Sequence, residues 1–152
     1  MLVNIRYLEG REVVSIELDD KLSNWYPQIL EASKISIEHL LNHTSGLYSF
    51  NSDPTFQSSN VYRSPDELLE IVMAQKNLFR AGQQWSYSNT GYLLLALIAE
   101  KIEGKIFHQI VQERIAEPLN LKTLRVLEPK ENPHNLACGH KSRKTFCKDR
   151  SI

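Results

Sequence analysis

Leu78-Phe79-Arg80-Ala81-Gly82-Gln83-Gln84-Trp85-Ser86-Tyr87-Ser88-Asn89-Thr90-Gly91-Tyr92-Leu93-Leu94-Leu95-Ala96-Leu97-Ile98-Ala99 reads as a loop that runs into a helix. Gly82 and the polar residues up to Asn89 interrupt any apolar period, whereas from Tyr92 the chain is apolar nearly all round for two turns. A helix of that composition belongs in a protein interior, so Leu93 to Ile98 are expected to be covered on more than one side. It is predicted from about Thr90 to Glu103, with Gly104 as a left-handed terminator. Tyr87 stands where loop meets helix. It is either a half-buried aromatic whose hydroxyl bonds to backbone, or a phenol presented to a reactant. Ser88 or Asn89 is placed to cap the helix through a side-chain oxygen, a role that competes with use of the Asn89 amide in binding.

Outward from this stretch, Ser64-Pro65-Asp66-Glu67 is the clearest helix start in the chain. Ser64 caps, Pro65 fits the first helical position and Glu67 closes a capping box. That helix is predicted to reach about Lys76, with Leu68, Leu69, Ile71, Val72 and Met73 as a broad apolar face. A shorter helix is predicted over Ser36 to Asn42, capped by Ser36, with Ile37, Leu40 and Leu41 on one face and Gly46 stopping it. Tyr48 to Tyr62 lacks periodicity and reads as a surface loop. A last amphipathic helix spans Ile106 to about Ile115, with Phe107, Ile110, Val111 and Ile115 inward and Pro118 beyond it. Leu2, Val3 and Ile5, then Val13, Val14, Ile16 and Leu18, around Glu9-Gly10-Arg11, suggest a short hairpin over Met1 to Leu18. The sum is mainly α, without an internal repeat.

Several matched segments, in order, carry a resemblance. They are Leu18-Asp19-Asp20-Lys21-Leu22 with Pro27, Ile35-Ser36-Ile37-Glu38-His39-Leu40-Leu41-Asn42-His43-Thr44-Ser45-Gly46-Leu47, the Phe79 to Ala99 stretch with Tyr87-Ser88-Asn89, and Pro118-Leu119-Asn120-Leu121. From about Leu18 to Thr123 the chain resembles the serine β-lactamase and penicillin-binding superfamily, in its class C-like branch with D-alanyl-D-alanine carboxypeptidases and esterases. The resemblance implies a three-layer α/β sandwich, of which this chain would supply chiefly the helical lobe. It implies Tyr87 as the catalytic group that shuttles a proton between nucleophile and leaving group, and Asn89 as the substrate-binding amide. In such enzymes a serine on a Ser-x-x-Lys helix attacks a carbonyl, and a Lys-Thr-Gly or His-x-Gly strand binds the substrate. Neither motif is present: none of the serines is followed three residues later by lysine. A free phenol titrates near pH ~10, so the shuttle needs a nearby cation, and no matched lysine supplies it.

The chain has 152 residues, 41% hydrophobic and 24% charged, ordinary for one globular domain or part of one. Its longest apolar run, Tyr92 to Ala99, is far short of the ~20 residues of a spanning helix. Arg6, Glu9 and Arg11 interrupt any secretion signal, so the chain as written reads as cytoplasmic, whereas members of the resembled family are often periplasmic or secreted. Net charge is zero, but residues 139 to 152 hold Lys141, Arg143, Lys144, Lys148 and Arg150 against Asp149, which makes the tail +4 and the rest −4. The tail reads as solvated and disordered, and nucleic acid is not an expected partner.

His134, Cys138, His140 and Cys147 match no paired zinc-ligand spacing, and His39 and His43 at i, i+4 lack the H-E-x-x-H arrangement and a third ligand. No metal and no cofactor is expected, and the two cysteines read as reduced thiols. Residues 1–138 are then a partial β-lactamase-like domain, and 139–152 its tail. The leading expectation is an incomplete serine hydrolase acting, when whole, on a β-lactam, a D-alanyl peptide or an ester, and inactive as written. The alternative is a non-catalytic module that binds a peptide or partner with the same helices. Apolar faces that lack their sheet would stay in water at roughly 25 cal/mol per Å², so self-association is expected.

Overall fold

Thr90, Gly91, Leu94 and Ile98 fall on one line of a helical wheel, and that line is what the longest helix buries. In the computed structural model, which describes residues 16–58, 61–124 and 126 and the backbone of 139–141 and 144–146, this helix is Asn89–Glu103. It is α4 in the order α1 Ile37–Leu41, α2 Pro54–Gln57, α3 Pro65–Met73, α4, and α5 Phe107–Val111. Gly104 ends α4 at φ 64°, the left-handed terminator expected of it. Leu93, Leu95 and Leu97 pack against the core while partly exposed. Cover on several sides is therefore complete only along the Leu94–Ile98 line.

α1 crosses α4 at Gly91. A Cβ there would press to 3.0 Å from the Leu40 carbonyl oxygen, so the absence of a side chain lets the two backbones meet. Ser36 caps α1 as expected, and its box is closed by His39: Ser36 Oγ accepts from the His39 N–H, and His39 Nδ1 accepts from the Ser36 N–H, both at 3.2 Å. The helix, Ile37–Leu41 with Ser36 and Asn42 at its caps, matches the predicted Ser36 to Asn42. The chain preceding it is stitched alongside: Ile35 O accepts from Leu22 N–H at 2.8 Å, and Asp20 O accepts from Ile37 N–H at 3.0 Å. Leu22, Tyr26, Ile29, Ile35, Ile37, Leu40, Leu47, Leu69, Leu94 and Ile98 form one buried cluster.

Helix α3 starts as the sequence predicts, with Ser64 and Glu67 in a reciprocal capping box and Pro65 in the first turn. It stops at Met73 rather than Lys76 and buries only Leu69 and Val72, while Met73 is exposed. The broad apolar face is thus a narrow stripe, because α3 touches the core along a single line. The segment read as a loop holds a 3-10 turn, Phe50–Ser52, and then α2, whose cap is Asp53. Hydrogen bonds from the Thr55 hydroxyl and N–H hold the Asp53 carboxyl below its usual range.

The last predicted helix is interrupted. α5 passes into a π-helical turn, Gln112–Ala116, and the wider turn rotates later residues about the axis. Phe107 and Ile115, predicted inward, are exposed, and Ala116 is buried instead. Arg114 Nη2 bonds both Glu103 carboxylate oxygens, at 2.9 and 3.1 Å. α1, α4 and α5 surround an apolar cavity of about 320 Å³ lined by Ile16, Leu18, Ile37, Leu41, Leu95, Ile98, Ile102 and Ile110.

Gly139–Lys141 and Lys144–Phe146 pair antiparallel, His140 opposite Thr145, within the segment read as a disordered tail. Of the hairpin expected over Met1 to Leu18, residues 1–15 lie outside the described residues. No helix among the described residues is long and apolar enough to cross a membrane.

Candidate functional site

A helix beginning at Asn89 leaves its first N–H groups without intrahelical partners. Neither of the two predicted side-chain caps supplies one. Ser88 occupies the cap position in extended conformation and makes no side-chain cap bond. The loop before α2 does the work. Ser49 Oγ accepts from the Asn89 N–H at 3.0 Å and donates to Asn51 Oδ1 at 2.6 Å. Thr90 Oγ1, fully buried, donates to the Tyr48 carbonyl at 2.8 Å and accepts from the Phe50 N–H at 3.1 Å. Sequence reasoning missed Ser49 and Thr90, since partners some forty residues apart leave no local pattern.

Capping from outside leaves the Asn89 side chain for other work. Its Oδ1 accepts the Tyr87 hydroxyl at 3.2 Å. The structure brings the two predicted site residues together, one at the end of the loop and one at the start of α4. Tyr87 is 59% exposed and its hydroxyl bonds a side chain, which sets aside the half-buried reading with a backbone partner. Trp85 and Tyr92 are exposed beside it. The exposed phenol and the half-buried amide therefore lie side by side at the start of α4.

The turn carrying Tyr87 is fixed against the segment after α1. Leu78 N–H donates to Gly46 O at 2.7 Å, Gly82 N–H to Thr44 O at 2.9 Å and Ser86 N–H to His43 O at 3.0 Å. Gly46 has φ 73°, and a Cβ on it would lie 2.0 Å from the Phe79 carbonyl oxygen, so only glycine fits. His43 also takes positive φ, 63°. Its Nδ1 accepts from the Ser88 N–H at 3.4 Å, and its ring lies 4.6 Å from the Tyr87 ring. Ser88 Oγ is buried and has no hydrogen-bond partner among the described residues.

His39 and His43 do not act as a pair. The first closes the α1 capping box, and the second has left the helix for the Tyr87 turn. Among the described residues no group of three or more His, Cys, Asp or Glu is placed to hold a metal ion. His134, Cys138 and Cys147 lie outside the described residues, and only the backbone of His140 is described.

Known proteins resemble this chain in sequence and in fold. Penicillin-binding protein 4* of Bacillus subtilis (strain 168) is 30% identical over 138 residues, which covers 88% of this chain and 30% of that protein. A D-stereospecific amidohydrolase from Streptomyces sp. superposes with a TM-score of 0.67 at 34% identity, covering 70% of this chain and 36% of that one. A penicillin-binding protein from Bacillus halodurans, 24% identical, shares the fold with a TM-score of 0.71 over 82% of this chain and 38% of its own. This chain therefore spans about a third of the length of the proteins it matches. The Beta-lactamase family description matches residues 7–148, wider at both ends than the stretch from Leu18 to Thr123 that carries the motifs. With a family match over nearly its whole length, the chain belongs to the Beta-lactamase family.

Proposed function

We propose that this chain is part of a serine hydrolase, chiefly the helical lobe of its three-layer sandwich, and that it contributes the proton-transferring phenol and the substrate-binding amide of an acyl-transfer site. The carrying observation is the exposed Tyr87 Oη bonded to Asn89 Oδ1 at 3.2 Å on a turn held from both flanks. In the reaction, a serine Oγ forms the bond to a carbonyl carbon and its proton passes to Tyr87 held as a phenolate by the neighbouring lysine cation; the resulting phenol returns that proton to the leaving group as the carbonyl–leaving-group bond breaks. Asn89 holds the substrate beside the reacting carbonyl. The serine and its lysine come from polypeptide outside this sequence, which has no Ser-x-x-Lys. The chain alone is then inactive.

Relatives named as a penicillin-binding protein and a D-stereospecific amidohydrolase favour a small-molecule or peptide acyl donor. The apolar cavity between α1, α4 and α5 supports the incomplete reading, since a lobe separated from its partner layer keeps such a surface open. The same surface supports self-association of the chain when alone.

The test is covalent labelling with a fluorescent penicillin together with sequencing of the flanking DNA. No adduct from the chain alone, and an in-frame Ser-x-x-Lys upstream in the gene, is the expected pair of results. A stable adduct on a serine of this chain would refute the incomplete reading. Saturable, non-covalent penicillin binding that Asn89→Ala weakens, without any Ser-x-x-Lys in the gene, would establish the binding-module alternative instead.

A further inference from the structure

We infer that His43 is the positioning residue of Tyr87, acting as a hydrogen-bond acceptor at Nδ1 rather than as a reactant; the inference rests on the reading of Tyr87 as the proton-transferring group. Three independent contacts from this one residue converge on the tyrosine. Its carbonyl accepts from the N–H of Ser86 at 3.0 Å, immediately before Tyr87. Its Nδ1 accepts from the N–H of Ser88 at 3.4 Å, immediately after. Its ring rests on the Tyr87 ring, centroids 4.6 Å apart and planes tilted by 44°.

The ring is itself wedged. Tyr92 stacks on it at 5.2 Å and Trp85 meets it edge-on at 6.2 Å. Tyr92 is pinned in turn, its hydroxyl donating to the Leu41 carbonyl at 3.3 Å. An extended segment directs alternate N–H groups to the same side. A single residue facing Ser86 and Ser88 therefore holds the backbone on both sides of Tyr87 and fixes where its side chain emerges. The backbone of His43 is adapted to this, because φ 63° lies in a region that histidine and asparagine enter far more readily than other side chains.

The chemistry requires one form of the ring. An imidazole that accepts at Nδ1 carries its proton on Nε2, and a doubly protonated ring has no acceptor for the Ser88 N–H. Ser88 is 3% exposed, so water cannot readily replace a lost partner for its N–H. Substitutions separate the two contributions. His43→Asn keeps an acceptor oxygen near the Nδ1 position and tolerates the positive φ, but loses the ring. His43→Phe keeps a ring and loses the acceptor.

The experiment is NMR on the isotopically labelled chain as it stands, reading the His43 tautomer, the exchange rate of the Ser88 amide and the ring shifts of Tyr87. Wild type is expected to show the proton on Nε2. In His43→Phe the Ser88 amide exchanges about tenfold or more faster, the loss of one hydrogen bond to a buried donor. In His43→Asn it stays within about threefold of wild type, while the Tyr87 ring shifts move. A proton on Nδ1 in the wild type, or equal Ser88 exchange in all three proteins, overturns the inference. Should His43→Phe fail to fold, the wild-type tautomer and His43→Asn still decide it. These measurements read the turn and not turnover. A completed enzyme that acylates normally with Tyr87→Phe would remove the catalytic reading of Tyr87 and leave the positioning result intact.

Discussion

Two glycines with nearly the same backbone angle separate conformational strain from steric fit. Gly46 has φ 73° and Gly104 has φ 64°. An alanine at either position costs roughly 1–2 kcal/mol, because its Cβ crowds the carbonyl in the left-handed region. At Gly104 nothing lies within 4 Å of the added carbon, so the cost ends there. At Gly46 the carbon would sit 2.0 Å from the Phe79 oxygen and 3.0 Å from its carbonyl carbon, both backbone atoms that cannot rotate away. The Phe79 segment must retreat, and the bond from Leu78 N–H to Gly46 O is lost with it. The carbonyl of buried Gly46, left unpaired, costs about 1–3 kcal/mol in addition. Gly46→Ala is therefore expected to destabilise by about 2–5 kcal/mol and Gly104→Ala by about 1–2. At about 2–4 °C per kcal/mol for a chain of this size, the melting temperature falls by roughly 4–20 °C in the first and by roughly 2–8 °C in the second. Thermal unfolding followed by far-UV circular dichroism, with urea titration for the free energies, measures both. Equal shifts in the two variants would refute the argument that the Phe79 backbone is seated on Gly46. NMR adds a spatial check, since Gly46→Ala should move the Gly82 and Ser86 amides, which bond to Thr44 and His43, whereas Gly104→Ala should leave them in place.

Removing the unpartnered, buried Ser88 hydroxyl by Ser88→Ala is expected to stabilise the chain by about 1 kcal/mol, and a melting temperature below wild type would contradict that. Thr90→Val keeps the shape and deletes a hydroxyl that satisfies both Tyr48 O and Phe50 N–H, so unfolding in urea should show a loss of about 2–3 kcal/mol. The Ser64 N–H, then the Ser64 hydroxyl, hold the Glu67 carboxyl below its usual range. A depressed folded-state value contributes stability above the unfolded glutamate range near pH ~4.3, and that contribution is lost as pH falls through the folded value. Glu67→Gln should accordingly show a shallower fall in stability on acidification below that range, and an unchanged slope would remove the capping box as its source. Sedimentation of the chain alone should show association that weakens on Leu95→Lys, a charge placed in the cavity wall.

What was legible in the sequence was local. Ser64-Pro65-Asp66-Glu67 announces α3 because cap, proline and acidic partner all lie within one turn, and the structure contains each bond. Asp53-Pro54 carried the cap and the proline of that signal for α2, without the acidic partner, and the abundance of Ser and Asn around it hid a helix of one turn. The far end of α3 and the facing of α5 were misread for a different reason. An apolar pattern says which residues are able to face a core but not how wide the core is at that point. Nor does it report a change of pitch, and the π-helical turn over Gln112–Ala116 exchanges Ile115 for Ala116 with no mark in composition. The cap of α4 shows the limit most directly. Two plausible local caps, Ser88 and Asn89, lost to Ser49 in the loop before α2, because a tertiary partner satisfied the Asn89 N–H first.

That exchange bears on function. Had Asn89 capped its own helix, its carbonyl oxygen would have pointed into α4, unable to meet the Tyr87 hydroxyl. Because Ser49 takes the cap, Asn89 Oδ1 is left for Tyr87, and because His43 takes Ser86 and Ser88, Tyr87 is left facing out. Both supports come from the stretch His43 to Asn51, which runs from the end of α1 through the Phe50 turn. The geometry of the phenol and amide is thus set within this chain, by one loop that bonds to both sides of the turn. The arrangement of the Tyr87–Asn89 pair is accounted for by hydrogen bonds made within these residues, from Ser49, His43 and the Tyr87 hydroxyl itself.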